Sequence, residues 1–294
     1  MRRVRLKRRD AGRHRHRFWP ALSTAVALAA CDPALLNRSE SMNPSSVTER
    51  GSDIARSFDQ AVLVLPGAEE EPLVIGTAAD PAVAARLQQI AASRPLPFVL
   101  YMHGCTGLEN LAPLKALARE GFAVLAPDSF ARRYRPLQCR PSQRQGGENV
   151  FVFDFRLTEI SYAIHRLARA GWIDNRYLYL VGVSEGAVAV ALYRGDVFRA
   201  RVISQWTCHG NPYVRGVAGP DDLPVLAIVS AQDPWYRREM GAIQGDCGDF
   251  IAGRRRSRSI VLTDVAGHDV MNDARVQEMI AEFLRGEMQA AGGR

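Results

Sequence analysis

No stretch of this 294-residue chain approaches the roughly 18 consecutive apolar residues that a membrane-spanning helix requires, which excludes a multi-pass membrane protein. Cysteine is scarce. There are five, the nearest pair lies 34 residues apart, and no spacing among them is that of a zinc site, so no metal is expected. Internal repeats and low-complexity tracts are lacking, and 24 Gly and 16 Pro within a 47% apolar composition exclude collagen-like and wholly disordered classes. A further absence is local: residues 18–30 carry no charge, whereas the seventeen before them carry nine basic side chains against Asp10 alone. Those seventeen hold +8, so a formal +7 for the whole leaves −1 for the remainder. With the positive charge confined to one end, no nucleic-acid partner is expected of the folded part.

Basic residues, then the apolar run Phe18 to Ala30, then small residues give the layout of a secretory signal peptide. Leu28-Ala29-Ala30-Cys31 resembles the bacterial lipobox, in which the Cys is lipidated and becomes the mature N-terminus. The chain is therefore expected to divide into a signal peptide (1–30), a flexible tether rich in Ser, Asn, Pro and charge (31–58) and one folded domain (59–294). It is expected to be exported and to meet a membrane only through the lipid on Cys31. Export places the other four cysteines, Cys105, Cys139, Cys208 and Cys247, in an oxidising compartment, where two disulfides are expected and three pairings are possible.

The core alternates strand and helix. Phe98 to Met102 and Phe122 to Ala126 read as buried strands, separated by a helical stripe (Leu111, Leu114, Leu117, Ala118) that Gly121 stops. Val150 to Ala170 is a longer amphipathic helix. The strand Leu178 to Val181 leads into a helix ending near Leu192. Arg201 to Ser204, Val225 to Val229 and Ser259 to Leu262 are further strands, and Asp273 to Gln289 is a closing helix. Unbroken apolar strands alternating with helices imply an α/β fold whose mostly parallel central sheet is flanked by helices on both faces.

Chemistry in such sheets gathers just past the carboxyl ends of the strands. Gly182-Val183-Ser184-Glu185-Gly186 is a G-x-S-x-G directly after a strand and opening a helix, the context of a nucleophile elbow. A serine hydroxyl needs a histidine to take its proton and an acid to orient that histidine. Asp233 follows the strand Val225 to Val229 and His268 follows the last strand, in the chain order Ser, acid, His of the α/β-hydrolases. Asp264 and Asp269 are competing acids, and His165 and His209 competing histidines, but none has both the order and the loop position. The segment His103-Gly104-Cys105-Thr106-Gly107 follows the first core strand. The backbone N–H groups of Cys105 and Glu185 are the expected oxyanion hole, with His103 an anchor of its loop. Arg132 and Arg133 are candidates for holding a substrate carboxylate, and Trp206, Trp235 and Tyr236 for lining an acyl pocket. The run Arg254-Arg255-Arg256 with Arg258 reads as a surface loop.

Over residues 95–285 the chain resembles the dienelactone hydrolase branch of the α/β-hydrolases. The resemblance rests on Met102 to Gly107, on Val124-Leu125-Ala126-Pro127-Asp128-Ser129-Phe130, on Gly182 to Gly186, and on the Asp233 and His268 loops. Two positions depart from that family. Ser184 stands where dienelactone hydrolase proper has Cys, and Gly104 where it has an acidic residue, so the resemblance implies serine-type hydrolysis of small esters or lactones rather than that family's own substrate. It implies no cofactor. Exported proteins of this kind also imply the pairing Cys105 with Cys139 and Cys208 with Cys247. Peptidases of the prolyl-oligopeptidase type share fold and triad but usually add a gating domain, for which this length leaves no room; a lipoprotein keeping the fold for binding alone is the non-enzymatic alternative.

Overall fold

The computed structural model describes residues 52–292, apart from 69–70, 137, 148, 211–212 and 237–244. The segment read as a signal peptide, Cys31 and the part of the expected tether before residue 52 lie outside the described residues.

Eight strands form one sheet in the order β10-β9-β8-β7-β3-β4-β1-β2. Six run parallel: β3 (Leu96–Met102), β4 (Ala123–Ala126), β7 (Ile173–Val183), β8 (Ala200–Ser204), β9 (Val225–Gln232) and β10 (Arg258–Ala266). At one edge β1 (Val62–Leu65) is antiparallel to β4 and to the short β2 (Val74–Gly76). Two further strands, β5 (Cys139–Arg140) and β6 (Gln145–Gly146), form a separate small hairpin.

Alternate strand residues serve opposite faces of the sheet. Leu100, Met102 and Leu180 pack beneath α2 (Pro81–Ser93), α4 (Phe151–Leu167) and α5 (Glu185–Leu192). Val99, Tyr101 and Val181 pack against α3 (Ala112–Arg119) and α7 (Ala274–Gly292) on the other. Both faces are therefore apolar along every central strand, which is why these strands read as continuous apolar runs. From β3 the chain turns to β4 on one side and later to β7 on the other, so the strand order reverses at β3/β7. Loops leaving the carboxyl ends of those two strands part there and open a crevice. This is the α/β-hydrolase fold.

Among the described residues, helical structure is already present before the expected residue 59. Helix α1 (Asp53–Asp59) occupies the end of the stretch read as tether, capped by Ser52, whose Oγ accepts from Ala55 N at 3.2 Å. It is tied to the domain: Asp53 accepts from the backbone of Arg133 and Tyr134, and Ser57 O accepts from Asp128 N. The run at Arg254 is a second difference. Arg254 is buried and donates to the carbonyls of Pro220 and Val217, and Arg256 pairs with Glu287, so two of these arginines act as staples.

Candidate active site

The β7–α5 junction is a sharp turn with a strained residue at its apex. Ser184 has φ 52° and ψ −117°, a conformation that L-residues rarely hold and that lifts its side chain clear of the sheet. The flanking glycines let strand and helix close over it. A Cβ on Gly182 would lie 2.5 Å from the carbonyl oxygen of Gly186, and one on Gly186 would overlap the Met102 carbonyl of the neighbouring strand. Ser184 N donates to Ser204 O on β8 at 2.9 Å, pinning the turn to the next strand.

Ser184 Oγ lies 2.9 Å from His268 Nε2, and His268 Nδ1 lies 2.7 Å from Asp233 Oδ2. A carboxylate facing Nδ1 assigns the ring proton there, leaving the Nε2 lone pair toward the hydroxyl. Asp233 is fully buried, and its other oxygen accepts from Trp235 N at 3.0 Å. Its loop is joined to the histidine's by Ser230, whose hydroxyl donates to Val265 O and accepts from Gln232 N. The Trp235 ring leans on the imidazole, centroids 5.1 Å apart. Burial and the nearby Asp233 charge push the Tyr236 phenol well above its ordinary value, so it stays protonated. Among the competing residues, Asp264 is engaged with Arg275 at the surface, Asp269 faces Gln205, His165 is exposed on α4, and His209 faces the Asp246 carbonyl.

Ser184 opens onto a cleft with two lobes of about 410 and 460 Å³, and Cys105, Arg144 and Trp235 border both. Glu185, Trp206, His209 and Tyr236 line the first lobe; His268 and Asp269 line the second. Cys105 and Cys139 are bonded, as are Cys208 and Cys247, the pairing that the resemblance implied. The first bond joins the loop after β3 to the β5–β6 hairpin, which forms one wall of the cleft.

Arg132 and Arg133 do not border either lobe, which corrects their reading as substrate contacts. The Arg132 guanidinium turns inward, donating to Glu159 at 2.8 Å, because a buried carboxylate there requires a cation. Arg133 is held by its backbone to Asp53.

The group missed in the sequence is the buried polar cluster beneath the turn. His103, Ser129, Arg135, Arg156, Glu159 and Glu185 are joined by hydrogen bonds and ion pairs, and Arg156 and Glu159 are almost wholly inaccessible. A signal was available. On α4 the buried positions are Val152, Phe153, Arg156, Glu159, Ile160 and Ala163, so the two charges fall in phase with the apolar stripe.

No family model and no curated protein matches the chain. Solved structures resemble it at low identity. A protein of Klebsiella pneumoniae described as a dienelactone hydrolase is 19% identical, with 69% of this chain and 88% of that one covered at a TM-score of 0.43. A phospholipase/carboxylesterase from Dyadobacter fermentans is 14% identical, covering 67% and 92% at 0.44. An acylaminoacyl peptidase from Pyrococcus horikoshii is 11% identical, covering 66% and 37% at 0.45. At these identities and TM-scores the likeness says nothing of what this chain acts on.

Proposed function

We propose that the chain is a serine hydrolase of small esters or lactones working through an acyl-enzyme. The reading rests above all on one observation: a strained Ser184 in hydrogen-bond reach of His268, itself in reach of a buried Asp233. Ser184 Oγ attacks the ester carbonyl as His268 Nε2 takes its proton, and Asp233 stabilises the imidazolium that forms. Backbone N–H groups of Cys105 and Glu185 stabilise the tetrahedral oxyanion. The C–O bond to the alcohol breaks, His268 returns the proton to the leaving oxygen, and water attacks the acyl-serine by the same route in reverse. For a lactone the leaving alcohol remains part of the acyl chain throughout, and the second step releases a single hydroxy acid. Trp206, Trp235 and Tyr236 supply an apolar wall for the acyl side. No cofactor is needed for this chemistry.

The chain is exported by residues 1–30 and held at a membrane by lipid on Cys31, with the folded domain beyond a tether. Two disulfides support export. Among the described residues no helix is long and apolar enough to cross a membrane.

Labelling of the full chain with a fluorophosphonate, beside Ser184→Ala, and assays of short p-nitrophenyl esters test the hydrolase reading. Wild type is expected to label and turn over, and the variant to do neither. A folded wild type that neither labels nor cleaves any ester or lactone overturns it.

A further inference from the structure

The proposed oxyanion hole has a backbone donor, Cys105 N–H, that shares one planar peptide unit with the Gly104 carbonyl. In a trans peptide those two groups point in opposite directions, so whatever holds Gly104 O aims Cys105 N–H. Gly104 O accepts from Gly107 N at 3.2 Å and faces His103 Nδ1 at 2.7 Å. The ring must therefore carry its proton on Nδ1 to donate there, and the surroundings of its other nitrogen enforce that tautomer. His103 Nε2 lies 3.0 Å from Ser129 N and 3.1 Å from Arg156 Nη1. A backbone amide and a guanidinium can only donate, so Nε2 is an acceptor and cannot hold a proton. Burial first, then the Arg156 and Arg135 charges, hold the imidazole well below its ordinary value, which keeps it neutral.

Arg156 does more than point at the ring. Its Nη2 donates to the His103 carbonyl at 2.8 Å, fixing the peptide that leads into Gly104. Its Nε lies 3.6 Å from Glu185 Oε1, and Glu185 supplies the second proposed oxyanion donor. Arg135 holds the same carboxylate at 2.6 Å. The guanidinium is fully buried on α4, far in sequence from both loops.

We infer that Arg156 is a positioning residue for the oxyanion hole, acting through the His103 ring on the Gly104–Cys105 peptide and through Glu185 on the second donor. The inference rests on the hydrolase reading above and adds to it the element that orients the hole.

The test uses the full chain with a short p-nitrophenyl ester, reading kcat, KM and thermal melting separately. Arg156→Lys keeps a charge but replaces the two-nitrogen fork by a single nitrogen on a different stem, losing the geometry that serves ring and carbonyl from separate atoms; kcat is expected to fall at least 10-fold with KM within 3-fold. His103→Asn offers an amide N–H where Nδ1–H stood and is expected to keep kcat within about 5-fold of wild type, a rescue that apolar His103→Leu, at least 30-fold down, does not give. Arg201→Lys is the matched control. Arg201 is as deeply buried but donates to the carbonyls of Val190, Tyr193, Gly195 and Ala218 away from the cleft, so melting should drop while kcat per folded molecule holds. A folded Arg156→Lys with unchanged kcat overturns the inference, as does equal loss in His103→Asn and His103→Leu. Should Arg156→Lys fail to fold, the two His103 variants decide. A wild type inactive on every ester overturns the hydrolase reading instead.

Discussion

Gly186 shows how little freedom the turn beneath Ser184 has. Its α-carbon faces the Met102 carbonyl so closely that a methyl group requires β3 and α5 to separate. Gly186→Ala is expected to lower stability by about 1–3 kcal/mol, the range for forced overpacking, and to remove most of the proposed hydrolytic activity because the turn carries the proposed nucleophile. Urea melts and residual kcat check both. His103 carries a second prediction at this scale. Its folded-state pKa is depressed, so the unfolded chain binds the extra proton more readily, and stability present above pH 6.5 is lost as pH falls below it. The urea midpoint is therefore expected to fall between neutral pH and pH 5. His103→Asn, which does not titrate, should flatten the stability curve over that window; an unchanged curve argues that other groups set it.

At the scale of elements, the two disulfides make a natural comparison. They close loops of nearly the same length, 34 and 39 residues, so chain entropy predicts nearly equal losses of about 2–4 kcal/mol when either pair is changed to serine. Activity should separate them. Cys105–Cys139 ties the loop after β3, which carries a proposed oxyanion donor, to the β5–β6 hairpin, and Gly146 of that hairpin sits against Trp235, which leans on His268. Cys105→Ser with Cys139→Ser is expected to reduce kcat/KM at least 5-fold more than Cys208→Ser with Cys247→Ser, measured at a temperature where both remain folded. The same elements show what the sequence discloses. Strands buried on both faces announce themselves as apolar runs, and β3, β4, β7, β8, β9 and β10 were all legible. The meeting of Ser184, Asp233 and His268 was legible too, because turn chemistry and chain order constrain where these residues sit. The four-residue β1, three-residue β2 and two-residue β5 and β6 are too short to carry a period, and α1 and α2 went unread with them. Arg156 and Glu159 lie in phase with the apolar stripe of α4, but opposite charges at i,i+3 also pair at helix surfaces, so the stripe had to be weighed against the charge to read them as buried. Arg132 erred in the opposite direction: an arginine after a strand near the site looks available to substrate, yet a buried Glu159 claims it.

For the whole molecule, a parallel sheet explains why one edge carries everything. Strands β3, β7, β9 and β10 point the same way, so the loops with Cys105, Ser184, Asp233 and His268 emerge together although they span more than 160 residues of sequence. Charge divides the molecule along the chain instead. The first seventeen residues hold +8 and the rest −1, the partition that the proposed export signal would require. If Cys31 is the lipid attachment point, membrane association is expected to depend on that thiol. In a bacterial host able to process lipoproteins, the wild-type chain is expected in the detergent phase after Triton X-114 partition, with globomycin blocking its maturation. Cys31→Ala should move it to the aqueous phase while leaving fluorophosphonate labelling of Ser184 intact, because the tether separates anchor from site. Detergent partition that survives Cys31→Ala would place the membrane contact elsewhere and remove the lipid anchor from the account, with the hydrolase reading untouched.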